Sequence, residues 1–206
     1  MKRRKLWAGL AGTAALATGV TVWVMLAHPA ASPVASNTSA TPKPQQVATL
    51  LRAANLQAQY HDFAGATRTF RQVLAIEPRN KVAWYDLGVV AHQQGKTADA
   101  LKAYDKALQI DHKYASALYN EAVLLKPSDP DRAAELLKRA ITATPKAATA
   151  HLQLGLILAS KDRDDEAEDE FRRAVAADPS LHSQVPEPYR DDVSPSPTSS
   201  QAGATK

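Results

Sequence analysis

The residues most able to do chemistry in this sequence are its histidines and carboxylates, because the chain contains no cysteine. Disulfide bonds, thiolate metal sites and a cysteine nucleophile are therefore excluded. No pair of histidines has the His-Glu-x-x-His spacing that places two metal ligands on one helix face; the six are His28, His61, His92, His112, His151 and His182. Motifs of serine hydrolases and nucleotide-binding loops are also absent. We predict a protein that is not an enzyme and uses no metal or cofactor.

The densest group of carboxylates is the run DRDDEAEDE at residues 162–170. Its spacing does not fit the twelve-residue loop that binds calcium in helix–loop–helix sites. Acidic residues at the start of a helix interact favourably with the positive end of the helix dipole. The run is thus interpreted as the solvated face of a helix, with a site for a cation or a basic partner as the alternative.

The positive charge of the chain is concentrated at its start. Residues 1–46 contain five lysines and arginines and no acid, residues 47–182 contain 18 basic and 18 acidic residues, and residues 183–206 contain two basic and three acidic residues. A neutral middle section offers no basic stripe for neutralising phosphates. We expect no binding of nucleic acid.

An uncharged run of 22 residues, 6–27, follows the basic segment 1–5. This length is enough to cross a bilayer as a helix, and tryptophans near both ends favour the headgroup region. The preceding basic residues predict that the N-terminus stays in the cytoplasm and that the rest of the chain is extracytoplasmic. The alternative is a long signal peptide, cleaved within residues 28–36.

Two segments are poor in the large apolar residues needed for a core. Residues 28–46 are rich in Pro, Ser, Thr and Ala, and we predict a disordered linker there. Residues 182–206 have a similar composition and are predicted to form a disordered tail.

The middle of the chain repeats itself. The helix-end segments at Ile76, Ile110, Ala143 and Ala177 are separated by 34, 33 and 34 residues. Three columns of residues recur in the same register: very small residues, alanines and large apolar residues. These columns are Ala54, Gly88, Ala122 and Gly155; Ala66, Ala100, Ala133 and Ala167; and Phe70, Tyr104, Leu137 and Phe171. Four repeats are predicted, at 47–80, 81–114, 115–147 and 148–181.

The columns indicate two antiparallel helices in each repeat. Apolar residues follow the i, i+3, i+4, i+7 spacing of a helix face. We expect Gly88 to lie against Ala100, where two helices approach closely, with Trp84, Leu87 and Tyr104 filling the space beside them. Gly95 is placed in the turn between the helices, where a positive φ is useful.

This pattern resembles the tetratricopeptide repeat family, whose signature W-x2-L-G…A-x3-F…P is matched most fully by Trp84, Leu87, Gly88, Ala100 and Tyr104. Three residues depart from the signature: Glu121 stands in place of leucine, His151 in place of a bulky residue and His112 in place of proline. The resemblance implies an all-α, right-handed superhelical solenoid of helix-turn-helix repeats, preceded by the single transmembrane helix. Such solenoids present a concave surface to partners.

The resemblance also implies which residues line the concave groove. The candidate partner-binding residues are Asn55, Tyr85, Val89, His92, Tyr119, Val123, Lys126, Leu152 and Leu156. The other groove positions hold Ala48, Leu51, Ala58, Val82, Ser116, Thr149 and Ala159. This groove is mostly apolar, and tyrosine is a frequent binding hot spot. The alternative is that Tyr85 and Tyr119 only cover neighbouring helices. The clamp with which some members of the family hold carboxylate tails is absent, since Leu51, Asp86 and Ser116 occupy its positions.

Together these features predict a membrane-tethered scaffold that binds a partner protein or peptide and takes part in the assembly of an envelope or membrane complex. Self-assembly is the alternative, because the apolar edge of 164–177 is expected to lack a covering helix and would pack on a second copy. A second alternative is a secreted repeat protein, released after signal cleavage.

Overall fold

The computed structural model describes residues 43–193, and all of its regular structure is helical within that range. Four pairs of α-helices follow one another: α1 (Lys43–Gln59) with α2 (Phe63–Ile76), α3 (Lys81–Gln93) with α4 (Thr97–Ile110), α5 (Ala115–Leu125) with α6 (Pro130–Ala143), and α7 (Ala148–Ala159) with α8 (Asp164–Ala177). A 3₁₀ helix (Pro179–Gln184) and the short α9 (Glu187–Arg190) complete this part of the chain.

The helices pack in chain order, as expected for a solenoid. The two helices of each pair contact one another, and the second helix of each pair also contacts the first helix of the next. Each repeat therefore meets only its neighbours, which is the arrangement in which local interfaces set the whole structure. Residues 43–193 thus form an all-helical solenoid.

The first helix begins earlier than the sequence indicated. Residues 43–46 belong to α1, although they were assigned to the linker 28–46. The second residue of the helix is Pro44, which is tolerated in a first turn because no intrahelical partner is needed for the missing N–H. The remainder of the linker, and the predicted membrane span 6–27, lie outside the described residues. No helix within 43–193 is both long and apolar enough to cross a bilayer.

The closest contact within a repeat is between a glycine and an aromatic ring. A Cβ atom added to Gly88 would lie 2.4 Å from Cε1 of Tyr104, and one added to Gly155 would lie 2.6 Å from Cε1 of Phe171. Both rings are fully buried. Gly88 thus meets the Tyr104 ring most closely, rather than Ala100. The missing side chain is what lets the paired helices close over a large ring.

The same buried columns occur in all four repeats. The members that are fully or almost fully buried are Ala54, Ala66, Phe70, Ala100, Tyr104, Ala122, Ala133, Leu137, Ala167 and Phe171. Trp84 and Leu87 are half-buried beside them. The indole N–H of Trp84 donates to the carbonyl of Pro78 at 3.0 Å, which fixes the start of α3 against the preceding turn.

His151 takes the place of Trp84 in the last repeat and reaches the equivalent carbonyl. Its Nε2 atom lies 3.1 Å from the carbonyl oxygen of Pro145, and its Nδ1 atom lies 2.6 Å from a carboxylate oxygen of Glu170. The Pro145 carbonyl oxygen can only accept a hydrogen bond, so Nε2 is the donor in that contact. The histidine therefore reproduces the tryptophan's bond to the turn and adds one to α8.

Glu121, which departs from the repeat signature, is buried at 3% exposure. One of its oxygens accepts a hydrogen bond from Arg132 at 3.1 Å, while the other has no partner among the described residues. Burial raises the pKa of Glu121, and the hydrogen bond from Arg132 opposes that shift. The carboxylate at this leucine position of the signature is thus stabilised by an arginine, for which an apolar side chain would have no need.

The turns between paired helices use the left-handed region at one equivalent position. Gly95 has φ of 69°, and His61 and Asp162 occupy the corresponding places with φ of 60° and 55°. The third repeat is one residue shorter at this turn. A side chain in the left-handed region costs free energy that glycine does not.

Residues 179–193 cover the last repeat, so the predicted disordered tail is wrong from residue 182 to residue 193. Leu181, Val185 and Val193 are buried in the core cluster that includes α7 and α8. The Tyr189 ring packs against Phe171 at 5.2 Å between centroids, and its hydroxyl donates to Asp164. The expectation of an uncovered edge at 164–177 is wrong for the same reason.

We predict that Val185→Asp destabilises the repeat domain by about 3 kcal/mol, because it places an unpaired carboxylate in an apolar site. Urea unfolding followed by circular dichroism measures the change. Ser183→Asp, at an exposed neighbour, is the matched control and should shift stability by less than about 0.5 kcal/mol. Equal effects of the two changes would contradict the packing of this segment.

Candidate peptide-binding groove

The first helices of the repeats form one face, and a cleft of about 400 Å³ opens on it. Its walls come from α3, α5 and α7, with a contribution from the end of α6. No charged side chain lines it; the lining residues are Tyr85, Ala115, Ser116, Tyr119, Asn120, Ala140, Thr144, Ala147, Thr149 and Ala150. Alanines supply an apolar surface, and hydroxyl and amide groups supply hydrogen-bonding atoms around it.

Tyr85 is held in a fixed position at the edge of this cleft. Its hydroxyl oxygen accepts a hydrogen bond from the Asn120 side chain at 2.8 Å. Its ring lies 5.8 Å from the Tyr104 ring and 5.3 Å from the Tyr114 ring, centroid to centroid. Burial raises the pKa of Tyr85, so the phenol stays neutral at physiological pH. A preorganised neutral hydroxyl can still donate its proton to a ligand.

Tyr119 is half-buried. It packs against the core formed by the last two repeats and also lines the cleft. Ser116 and Thr149, by contrast, are exposed at the cleft's surface. The cleft therefore combines two half-buried tyrosines with two accessible hydroxyl groups.

The structure brings only two of the nine candidate binding residues into this cleft, namely Tyr85 and Tyr119. Val89, His92, Val123, Lys126 and Leu156 are half-buried outside its lining, and Asn55 is exposed on α1. Lys126 donates to the Gln153 side chain at 2.7 Å.

Leu152 does not line a groove, which corrects the prediction. It is 2% exposed and belongs to the core cluster shared by α7 and residues 179–193. The first helix of the last repeat is more deeply enclosed than the others, because the C-terminal segment adds buried apolar residues to that end of the solenoid. A partner cannot reach this leucine without displacing that packing.

Asn120 also lines the cleft, although the sequence analysis did not include it among the candidate groove residues. It follows Tyr119 and falls outside the groove positions that the family resemblance supplies. Its place at the cleft comes from its hydrogen bond to Tyr85, one repeat earlier, and nothing in the sequence pattern pairs these two residues.

A buried carboxylate lies behind the tyrosines. The Oδ2 atom of Asp86 is buried and has no hydrogen-bond partner among the described residues, and the Tyr104 hydroxyl is also unpartnered there. Burial raises the pKa of Asp86 to about 6. The charge of Asp86 in turn contributes to the raised pKa of Tyr114, for which burial is the larger cause. No cluster of three metal-binding side chains occurs in residues 43–193.

Comparison with known proteins identifies the repeats. Tetratricopeptide-repeat family models match residues 82–114 and 122–182. The fold is similar to the crystal structure of MamA, at 22% identity and a TM-score of 0.60 over 68% of this chain and 82% of that one. It is also similar to YrrB, described as a TPR protein with an unusual peptide-binding site, at 21% identity and a TM-score of 0.59 over 69% of this chain and 77% of that one.

One curated relative is an enzyme. Protein O-mannosyl-transferase TMTC3 of Homo sapiens is 27% identical over 116 residues, which is 53% of this chain and 13% of that protein. The chain thus spans a small part of that relative's length. Two of the solved structures that it resembles are described as tetratricopeptide repeat proteins, and another is the O-GlcNAc transferase of Thermobaculum terrenum.

We predict that Asp86→Asn stabilises the protein above pH 6. Because the folded-state pKa of Asp86 is raised, the native state binds a proton more readily than the unfolded chain, and the wild type loses stability as pH rises from about 4 to about 6. At pH 7.5 the variant should gain about 1 kcal/mol, after allowance for partial solvent screening.

The measurement is urea unfolding of both proteins at several pH values. The difference in stability should shrink towards zero near pH 4. Asp105→Asn, at an exposed carboxylate on α4, is the control and should show no such pH-dependent gain. A constant difference across the whole pH range would contradict a buried, titrating Asp86.

Proposed function

We propose that this protein is a membrane-tethered scaffold that binds a partner protein through a peptide segment held in the cleft between α3, α5 and α7. The observation that carries the proposal is the cleft itself, with its volume of about 400 Å³ and a lining without charge. A peptide with an apolar side chain fits the alanine-lined surface. Its backbone groups can bond to the hydroxyls of Ser116 and Thr149 and to the Tyr85–Asn120 pair.

The fixed geometry of Tyr85 supports binding rather than simple coverage of a neighbouring helix. Its ring is already ordered by two other tyrosines, so a ligand that contacts it loses little additional side-chain entropy. The two outer walls of the cleft belong to closely packed repeats, in which Gly88 meets Tyr104 and Gly155 meets Phe171. A partner would therefore meet a preformed site.

The proposal includes no catalytic step. Within residues 43–193, the buried titratable groups are dispersed: Asp86 lies behind the tyrosines, Glu121 pairs with Arg132, and His151 pairs with Glu170. None of these groups lines the cleft. The enzymatic relative gives the reaction of a much longer protein, and the arrangement here supports a binding role.

We predict that a photocrosslinking amino acid at Thr149 captures a partner in intact membranes, since this residue is exposed at the cleft. The same amino acid at Thr142, an exposed threonine of α6 that is not part of the cleft lining, is the matched control. Mass spectrometry identifies the crosslinked product.

Tyr119→Ala should reduce the Thr149 crosslink by about tenfold, as expected for loss of a binding hot spot. Tyr60→Ala, at a tyrosine that is 78% exposed and distant in sequence from the cleft lining, should leave it unchanged. Thermal unfolding checks that both variants remain folded. Crosslinks only to a second copy, unaffected by Tyr119→Ala, would replace this proposal with self-assembly.

The tether is proposed from the sequence of residues 1–27. A run of 22 uncharged residues after four basic residues supports a single span with a cytoplasmic N-terminus. Tethering to a membrane would raise the local concentration of the repeats around a membrane-bound partner. Assembly of an envelope or membrane complex is the role that combines these two properties.

We predict that the full-length chain, expressed in a bacterium, stays in the membrane fraction after carbonate extraction and keeps residues 1–27. Its repeat domain should be digested by protease added to spheroplasts. Deletion of residues 6–27 should leave the protein in the cytoplasm. A mature N-terminus within 28–36, found by mass spectrometry, would instead establish a cleaved and released protein.

A further inference from the structure

A second cleft, of about 390 Å³, lies between α2 and α4 with α3 as its floor. It uses a different face of α3 from the groove. Trp84, Leu87 and Ala91 line this cleft, whereas Tyr85 lines the groove; at 100° per residue, Tyr85 and Leu87 point in nearly opposite directions. We call this site the basic cleft; it is lined by Thr67, Arg71, Leu74, Trp84, Leu87, Ala91, Gln94, Lys96, Asp99, Lys102, Ala103 and Lys106.

The rim of the basic cleft carries four cations and one carboxylate. Arg71 comes from α2, Lys102 and Lys106 from one face of α4, and Lys96 from the turn before α4, while Asp99 is the single acid. None of the four cations forms an ion pair with a carboxylate among residues 43–193. Several arginines further along the chain differ, since Arg132, Arg163, Arg172 and Arg173 pair with carboxylates.

The next repeat supplies an internal comparison. The equivalent site between α4 and α6 has a volume of about 200 Å³ and is lined by Asp105, Leu108, Gln109, Glu121, Arg132, Leu136 and Arg139. At the repeat spacing, Asp105 replaces Arg71, Glu121 replaces Leu87 and Arg132 replaces Asp99. Two acids and two arginines therefore balance there, and Glu121 and Arg132 bond directly across the site. Only the first of the two equivalent clefts has an excess of positive charge.

The floor of the basic cleft is apolar. Leu74, Trp84 and Leu87 are half-buried there, and the Trp84 indole is held in place by its bond to Pro78. A ligand that used charge alone would leave this surface exposed to water. A ligand with an apolar side chain between its anionic groups would bury it while meeting the cations at the rim.

We propose that the basic cleft binds an acidic peptide segment of a partner protein, with carboxylates at the rim and an apolar side chain on the floor around Trp84 and Leu87. Lys102 and Lys106 are one helical turn apart, so two carboxylates of an extended or helical segment can meet them together. Arg71, on the facing helix, meets the segment from the other side.

The observations favour a partner protein over a second copy or a nucleic acid. The acidic run of this chain is largely committed to its own helix, where Glu166, Glu168, Asp169 and Glu170 pair with arginines. A nucleic acid needs a longer track of cations than four around one apolar floor. An acidic and partly apolar segment fits both the charge and the floor.

The test uses the full-length chain in detergent micelles and fluorescence anisotropy. The probe is a short fluorescein-labelled peptide of glutamates flanking two central leucines. We expect saturable binding that weakens as salt is added, because exposed charge pairs are screened. Two comparison peptides, with serines in place of the leucines or lysines in place of the glutamates, should bind at least about tenfold more weakly.

The decisive variant is Arg71→Asp combined with Lys102→Glu. Both residues are exposed, and their replacements are the residues that the next repeat has at the equivalent positions, Asp105 and Glu135. Binding of the probe should fall by at least about tenfold. The control, Arg68→Asp with Arg79→Glu, changes the net charge equally at exposed residues outside the cleft lining and should alter binding by less than about twofold.

Two further variants test whether binding depends on the lysines without reversing their charge, and whether it depends on the groove. Lys102→Gln with Lys106→Gln should also weaken binding, whereas Tyr119→Ala should leave it intact. The proposal fails if the full chain does not bind the probe or if the two charge-reversal variants lose binding equally. It also fails if the serine peptide binds as well as the leucine peptide, or if a single-stranded oligonucleotide competes as effectively as the acidic peptide.

Discussion

The contact between a residue with little or no side chain and a large buried ring or leucine governs this structure. Gly88 against Tyr104 and Gly155 against Phe171 bring the two helices of a repeat so close that a single Cβ would collide with the ring. Because each repeat contacts only its neighbours, this local distance is passed along the chain. These contacts fix the distance between the two helices of the second and of the fourth repeat.

Both candidate binding surfaces depend on the same helix. Tyr85 of α3 contributes to the groove, and Trp84 and Leu87 contribute to the basic cleft on its other side. The helix can serve two surfaces because its close packing against α4 is made by a third position, Gly88, which lies against the Tyr104 ring. A contact made by small residues occupies less of the helix surface than a contact made by leucines, so more of that surface remains for binding partners.

The four helix pairs could be predicted because small and large residues recur at the same positions of each repeat. Four aligned segments identify the helices more reliably than any one segment does. The cover formed by residues 179–193 could not be predicted, because Leu181, Val185 and Val193 lie among prolines and polar residues without a helical period. The burial of Leu152 also escaped prediction, because its place in the repeat marks it as a groove position and does not show that it is covered. A residue's position in its own helix says which way it points, while its exposure depends on what a distant segment places over it.

The departures from the repeat signature are more informative about function than the matches. His151 makes the same bond to the preceding turn that Trp84 makes. Histidine in place of tryptophan therefore leaves the packing of the helix against that turn unchanged. Glu121 acts differently, because its buried carboxylate pairs with Arg132. Both residues of this pair line the site between α4 and α6, which is the equivalent of the basic cleft. The change from leucine to glutamate at this position thus places a smaller, charge-balanced site next to a larger, basic one. Selective binding along a repeat array requires that kind of asymmetry, since identical clefts would be occupied without preference.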